Sequence, residues 1–213
     1  MSGFKVMAIH RHRINTDGNG ITTLVGLYDC HLDCKYCLNR RILELNKYEI
    51  KTPEQLLSDI MIDYCYFVAT NGGITFGGGE PLLQSDAIKE FRDILPKEVN
   101  INIETSLHVD NKVLVDIMDS VKELIIDIKT SNSEIYKKYT GKHISNTIMN
   151  LEYIASMGLQ SKCTIRIPYI PEYTDEKDVE ETIGFVRELG YQKLDIFKYK
   201  KIINNCREIN NGV

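Results

Sequence analysis

Apolar segments of strand length alternate with helical segments along this chain, and this alternation limits the folds that it can adopt. Six apolar segments predict strands, at residues 22–28, 73–76, 100–105, 123–128, 162–167 and 193–197. Strands that are separated by helices pair in parallel through right-handed crossovers. Six such units predict an α/β fold of the partial (β/α)6 barrel type, related to the TIM barrel, although an open doubly wound sheet has the same pattern.

Helix signals lie between most of these strands. The segment Thr52-Pro53-Glu54-Gln55 is a capping box with proline at the first helical position, and it predicts a helix to about residue 69. Another helix is predicted over residues 175–189, ending at Gly190 as its C′ glycine. No linker or low-complexity tract divides the chain, so we expect residues 1–213 to form one domain.

Composition narrows the range of partners. The 213 residues have a formal net charge of −4, which argues against nucleic-acid binding through the phosphate backbone. The exception is the basic run His10-Arg11-His12-Arg13, a pattern typical of a solvated edge. No apolar run reaches membrane-spanning length and the first residues lack a signal-peptide pattern, so we expect a cytoplasmic protein.

Three cysteines, Cys30, Cys34 and Cys37, have the spacing C-x3-C-x2-C. Three thiolates this close together can hold three irons of a cubane [4Fe–4S] cluster, for which four cysteines are the usual full set. Because no fourth cysteine is near, one iron would stay open to a small chelating ligand. The alternative is a zinc site with His31 or another fourth ligand, although the paired C-x2-C half-sites of most zinc sites are absent.

Polar residues recur where the predicted strands end. In β/α barrels the carboxyl ends of the strands carry the functional residues. We therefore expect one mouth of the barrel to be lined by the following residues: Gly78, Gly79, Glu80, Glu104, Thr105, Asp127, Lys129, Arg166 and Lys200.

Each of these residues also has a structural explanation. Glycines let the backbone approach a ligand and present carbonyls to an ammonium group, but they also form ordinary tight turns. Asp127 and Lys129 point to the same side of a strand, where they can form a simple ion pair. Arg166 can bind a carboxylate or simply face solvent. Tyr36 can stack on a flat aromatic ring or pack as an ordinary side chain.

Taken together, the motifs resemble the radical S-adenosylmethionine (SAM) enzymes, and within them the pyruvate formate-lyase activating enzyme and its relatives. The resemblance runs from about residue 16 to residue 200. Its segments are Asp17-Gly18-Asn19-Gly20-Ile21 (D-G-P-G-I, with Asn19 for proline), Cys37-Leu38-Asn39-Arg40 (C-H-N-R), Gly78-Gly79-Glu80, Asp127-Ile128-Lys129 (D-x-K), and Arg166 with Pro171.

The resemblance implies a role for each candidate residue. Cys30, Cys34 and Cys37 would ligate the [4Fe–4S] cluster, Tyr36 would lie near adenine, and the Gly78-Gly79-Glu80 turn would hold the methionine amino group. The remaining contacts to SAM would come from Asn39, Glu104, Thr105, Asp127, Lys129, Arg166 and Lys200. Some of the acids in such sites also hold a monovalent cation.

The implied reaction is reductive cleavage of SAM to a 5′-deoxyadenosyl radical, which abstracts a glycine hydrogen and so activates a glycyl-radical enzyme. The electron would come from a reduced flavodoxin or ferredoxin. Three departures bear on the substrate: Glu104 replaces an aspartate, Lys200 replaces a histidine, and Asp29 precedes Cys30 where the family has glycine. The alternatives are a radical SAM enzyme acting on a nucleobase-like molecule or a ribosomal peptide, and a zinc-stabilised binding module without catalysis.

Overall fold

An eight-stranded sheet forms the centre of the computed structural model, which describes residues 3–199. The strands are β1 Phe4–Ile14, β2 Ile21–Leu27, β3 Glu49–Lys51, β4 Gly73–Gly78, β5 Asn100–Thr105, β6 Glu123–Asp127, β7 Cys163–Tyr169 and β8 Lys193–Lys198. Their order across the sheet is β3-β1-β2-β4-β5-β6-β7-β8. Strands β3 and β8 are the two ends of this order, so the sheet is not closed.

The six strands β2, β4, β5, β6, β7 and β8 pair in parallel, each with the next. They are the six strands that the sequence predicts, and the open α/β barrel is confirmed. Within β6 and β7 the register sets Asp127 beside Arg166. Strands β1 and β3 are antiparallel additions at one end that the sequence did not predict.

Helices follow most of the parallel strands. Their bounds are α1 Arg40–Glu44, α2 Pro53–Ile60, α3 Tyr64–Thr70, α4 Ser85–Ile94, α5 Asn111–Ile117, α6 Ser133–Thr140, α7 Ser145–Ser156 and α8 Glu176–Glu188. Thr52 caps α2 as predicted, and its hydroxyl accepts from the Gln55 amide at 3.3 Å. The single helix predicted to residue 69 is wrong, because a 3₁₀ turn at Met61–Asp63 separates α2 from α3.

Strand β1 is held by buried contacts at both of its ends. The ring of Phe4 is fully buried and stacks on Phe76 of β4 with centroids 5.4 Å apart. Further along, Arg13 binds the Asp17 carboxylate at 2.5 Å, and the His12 ring nitrogen lies 3.2 Å from the buried Asp63 carboxylate. The basic run is therefore part of the sheet, and Arg11, His12 and Arg13 pair with Asp63 or Asp17.

In the part of the chain that the structure describes, helices of the length and hydropathy needed to cross a bilayer are absent.

Candidate functional site

A cavity of about 400 Å3 lies at the carboxyl ends of the parallel strands. It is lined by eleven of the residues that the sequence singles out: Cys30, Cys34, Cys37, Asn39, Gly78, Gly79, Glu104, Thr105, Asp127, Lys129 and Arg166. Residues from the loop after β2 and from four further strands, or the loops that follow them, thus meet at one place. The grouping agrees with the expectation that one mouth of the barrel gathers them.

Two further candidates lie beside the cavity rather than on its wall. The Tyr36 hydroxyl donates to Glu172 at 2.7 Å, and the Tyr36 ring packs against Tyr173 with centroids 5.8 Å apart. Glu80 is buried beneath the wall. Their contacts with SAM remain predictions, and Lys200 lies outside the described residues.

Strand β1 supplies a part of the wall that the sequence did not reveal. Met7, Ala8, His10 and Arg13 all line the cavity, and Asp17 follows them. The motif around Asp17 was visible in the sequence, but β1 was not predicted as a strand. Its contribution depends on antiparallel pairing with β2, which no local periodicity indicated.

The cysteine loop follows β2 and is anchored to the end of α6. The Asp33 amide donates to the Thr140 carbonyl at 2.8 Å, and the Lys35 amide donates to the Tyr139 carbonyl at 3.1 Å. Burial raises the pKa of Cys30 to about 12 and also raises the pKa of Cys34. Buried thiols of this kind hold their protons unless a metal replaces them.

The donor set fits a cubane cluster better than a single metal ion. Among residues 3–199, no three or more His, Cys, Asp or Glu side chains are grouped closely enough to hold one ion. Zinc needs such a group, because its ligands all lie within about 2.0–2.3 Å of the metal. A cubane cluster gives each cysteine an iron of its own, so its three thiols stand further apart.

The turn after β4 is joined closely to the cysteine loop. The Gly79 amide donates to the Leu27 carbonyl at 2.8 Å, and the Asn39 side-chain amide donates to the Gly78 carbonyl at 2.7 Å. A Cβ atom at Gly79 would lie 2.1 Å from the Asp29 carbonyl oxygen, so only glycine fits there. The two loops that bring the cysteines and the glycine turn to the cavity are thus positioned together.

Glu80 connects the glycine turn to the end of β5. Its carboxylate accepts from the Thr105 hydroxyl at 2.7 Å, the Ser106 hydroxyl at 2.7 Å and the Ser106 amide at 3.0 Å. Burial raises the Glu80 pKa, and these hydrogen bonds oppose the rise. In this structure Glu80 acts as a brace between β4 and β5.

A network of charges forms one wall of the cavity. The Arg166 Nη1 atom lies 3.0 Å from Glu104 Oε1, and the Lys129 Nζ atom lies 3.3 Å from Asp127 Oδ2, as the ion-pair interpretation predicts. Burial, with the help of the nearby Asp127 and Asp17, raises the pKa of Glu104 to about 7 against the opposing effect of Arg166.

Two charged atoms in this network are buried without a hydrogen bond. They are Asp127 Oδ1 and Arg166 Nε, which lie 3.7 Å apart as an ion pair. A buried polar atom that lacks a hydrogen bond costs about 1–3 kcal/mol, so it needs an explanation. A ligand with both a donor and a negatively charged acceptor fits this pair, and SAM carries an ammonium, two hydroxyls and a carboxylate.

The chain belongs to the radical SAM superfamily, whose family model matches residues 25–186. A known relative is the pyruvate formate-lyase 1-activating enzyme of Escherichia coli (strain K12). It is 25% identical over 191 residues, which cover 87% of this chain and 77% of that enzyme. The (2S)-3-sulfopropanediol dehydratase activating enzyme of Klebsiella oxytoca is 34% identical over 140 residues, covering 64% of this chain and 44% of that enzyme.

Solved structures support the fold. Streptococcus suis SuiB bound to S-adenosylmethionine superposes with a TM-score of 0.62 at 16% identity, covering 85% of this chain and 39% of SuiB. The chain thus spans well under half of that neighbour. The resemblance to radical SAM activating enzymes is confirmed, and with it an oxidoreductase class whose cofactors are an iron–sulfur cluster and SAM.

Proposed function

We propose that this chain cleaves SAM reductively and uses the resulting radical to take a hydrogen atom from a glycine of a partner enzyme. The observation that carries the proposal is the single cavity shared by three cysteines, the glycine turn and the charge network. When bound, the cluster and SAM would supply the 5′-deoxyadenosyl radical, which takes one hydrogen atom and leaves as 5′-deoxyadenosine.

The protein's own residues would bind and orient SAM. Cys30, Cys34 and Cys37 would hold the cluster. The Arg166 guanidinium would donate to the SAM carboxylate, and the Asp127 Oδ1 atom would accept from a hydroxyl or ammonium group. These contacts would satisfy the two charged atoms that the protein leaves without hydrogen bonds.

Apolar side chains would protect the radical. Leu24, Leu38, Ile42 and Phe197 line the same cavity as the charged residues. A wall of this kind excludes water and limits side reactions of a reactive intermediate. The charged residues would thus bind SAM, and the apolar residues would shield the radical from water.

A protein substrate is supported by the relatives, which are named as activating enzymes of pyruvate formate-lyase and of a dehydratase. We propose a glycyl-radical enzyme as the partner of this chain and a reduced flavodoxin or ferredoxin as its electron donor. A monovalent cation beside Glu104 and Asp127 is part of the same proposal, because both carboxylates line the cavity and Asp127 is close enough to raise the pKa of Glu104.

The first experiment is anaerobic reconstitution with iron and sulfide, followed by dithionite and SAM and quantification of 5′-deoxyadenosine. We expect product from the unmodified chain and from Cys65→Ala, since Cys65 is exposed and does not line the cavity. Cys34→Ala is expected to fold and to give no product. Product from Cys34→Ala at the rate of Cys65→Ala would contradict the cluster assignment.

The hydrogen source is tested with a partner protein whose glycines carry deuterium at Cα. Deuterium in 5′-deoxyadenosine, together with a protein radical, would support glycine as the donor. Cleavage of SAM without deuterium transfer from several such proteins, but with transfer from a deuterated nucleobase-like molecule, would replace the protein substrate by that molecule.

A further inference from the structure

Basic residues are concentrated around the cysteine loop and the end of α6. Residues 31–44 and 133–143 together carry six lysines or arginines and three acids, although the whole chain has a net charge of −4. Four lysines of these segments are exposed, and we call them the basic face: Lys35, Lys137, Lys138 and Lys142. None of them lines the cavity.

The basic face is continuous across the two segments. The Lys35 amide binds the Tyr139 carbonyl at 3.1 Å, and the Asp33 amide binds the Thr140 carbonyl at 2.8 Å. Lys142 follows directly, and its own amide binds the Thr140 hydroxyl at 3.2 Å. The four lysines therefore belong to two segments that these hydrogen bonds hold together.

Helix electrostatics explain only a part of this charge. Lys137 and Lys138 lie in the last turn of α6, where positive charge is favourable. Lys142 lies beyond the helix and Lys35 lies on the other segment. Asp33 is bound mainly by Arg40 at 2.5 Å and lies 3.4 Å from Lys35, and Glu172 accepts from the Tyr36 hydroxyl. The basic face therefore keeps an excess of positive charge.

Three tyrosines connect Lys138 of the basic face with the cysteine loop. The Lys138 Nζ atom lies 5.6 Å from the ring centre of Tyr173. The Tyr173 ring contacts Tyr139 at 5.0 Å and Tyr36 at 5.8 Å, and Tyr36 stands in the chain between Cys34 and Cys37. Aromatic contacts thus run from Lys138 to the loop that carries the residues proposed to hold the cluster.

We propose that the basic face docks an acidic protein that carries one electron at a time. The inference rests on the proposed function, because cleavage of each SAM consumes one electron that the chain cannot supply. The carrier would be oxidised by one electron and the cluster reduced by one, with no bond formed or broken in the transfer. Since the basic face lies outside the cavity, the carrier would leave the cavity open to the substrate.

Binding is the first test, and it does not require turnover. The probe is oxidised flavodoxin, whose flavin fluorescence is followed at low salt during titration with the unmodified chain, K138E/K142E and K97E. Lys97 is exposed and precedes β5, at the opposite end of the sheet from the cysteines, so K97E is the charge-reversal control away from the basic face.

We expect K138E/K142E to weaken flavodoxin binding about tenfold or more and to reduce its dependence on salt. K97E is expected to bind like the unmodified chain. Equal affinities for all three proteins would overturn the proposal. The same loss in K97E would also overturn it, because the effect would then come from net charge alone.

Turnover is the second test. With reduced flavodoxin below saturation, K138E/K142E should form 5′-deoxyadenosine about tenfold more slowly, whereas rates with dithionite should not change. An equal loss of rate with dithionite would overturn the proposal, since the lysines would then affect the cavity or the binding of the substrate protein. Absence of 5′-deoxyadenosine from the unmodified chain with dithionite would contradict the proposed function, and the binding titration would then decide the role of the basic face alone.

Discussion

Arg166 on β7 reaches past β6 to Glu104 on β5, and the Nη1 and Oε1 atoms lie 3.0 Å apart. One guanidinium therefore connects residues of four neighbouring strands, because its Nε atom also lies 3.7 Å from Asp127 on β6 and 3.4 Å from Asp195 on β8. The arrangement keeps a buried carboxyl, Glu104, close to two other acids. The consequence is a Glu104 carboxyl whose pKa is raised to about 7.

Glu104 is expected to make stability depend on pH. Its pKa is raised from 4.5 to about 7, chiefly by burial. The folded chain therefore keeps a proton that the unfolded chain releases, so the Glu104 contribution is fully present below about pH 4.5 and is lost as pH rises through about 7. The loss in the free energy of unfolding is about 3 kcal/mol at most, because a shift of one pKa unit corresponds to about 1.4 kcal/mol.

Urea unfolding of the cluster-free chain and of Glu104→Gln, at about pH 5 and about pH 8, measures this effect. We expect the two proteins to be similar in the acid sample, and Glu104→Gln to be the more stable in the alkaline one. A stability difference that does not change with pH would show that Glu104 titrates normally.

Asp127→Asn is expected to weaken SAM binding about tenfold or more while the iron content stays the same. The reason is that Asp127 Oδ1 is buried and without a hydrogen bond, and a hydrogen bond to a charged group contributes about 1.5–3 kcal/mol. Calorimetric titration of the reconstituted protein with SAM makes the measurement. Asp116→Asn is the control, because Asp116 is exposed and lies on α5 away from the cavity. If the two variants bind SAM with equal affinity, Asp127 has only a structural role.

The fold was largely predictable, because parallel β/α units have local periodicity. Strand β1 was not predictable, since its second half is basic and the acid that pairs with Arg11 and His12 is distant in the chain. Asp63, for example, contacts His12 from 51 residues away. Periodicity describes neighbours along the chain and carries no information about such pairs.

The site was predictable where position on a strand decides it. Asp127 and Arg166 were assigned to the cavity because both stand near the carboxyl ends of their strands. Glu80 shows the limit: its contact with SAM stays a prediction, and the sequence did not reveal that its carboxylate accepts from Thr105 and Ser106. That bond network exists only because the turns after β4 and β5 meet in space.

Asp29 is expected to be a strained position. Its φ of +80° lies in the left-handed region, where a side chain costs about 1–2 kcal/mol relative to glycine. The resemblance places glycine there, and here Asp29 instead forms an ion pair with Lys5 at 2.8 Å. We expect Asp29→Gly to be more stable than Asp29→Ala by about 1 kcal/mol, measured by urea unfolding.

Lys5→Ala is the companion variant for Asp29, because it removes the ion pair and leaves the backbone unchanged. An exposed pair of this kind contributes about 0–1 kcal/mol, so Lys5→Ala should change the free energy of unfolding very little. If Asp29→Ala and Asp29→Gly unfold at the same urea concentration, the left-handed backbone is not a source of strain.

Asn39 is expected to keep the cysteine loop and the glycine turn in register. Its side-chain amide donates to the Gly78 carbonyl at 2.7 Å, and Asn39 stands two residues after Cys37. Asn39→Ala should lower the free energy of unfolding by about 1 kcal/mol and speed the loss of iron to a chelator, because the loop is less restrained. Asn39→Asp has nearly the same size but offers only acceptors when ionised, so it should release iron at least as fast. Iron release is measured by the bleaching of the brown cluster. If both variants release iron at the rate of the unmodified chain, the backbone hydrogen bonds of Gly79 and Glu80 hold the two loops together without Asn39.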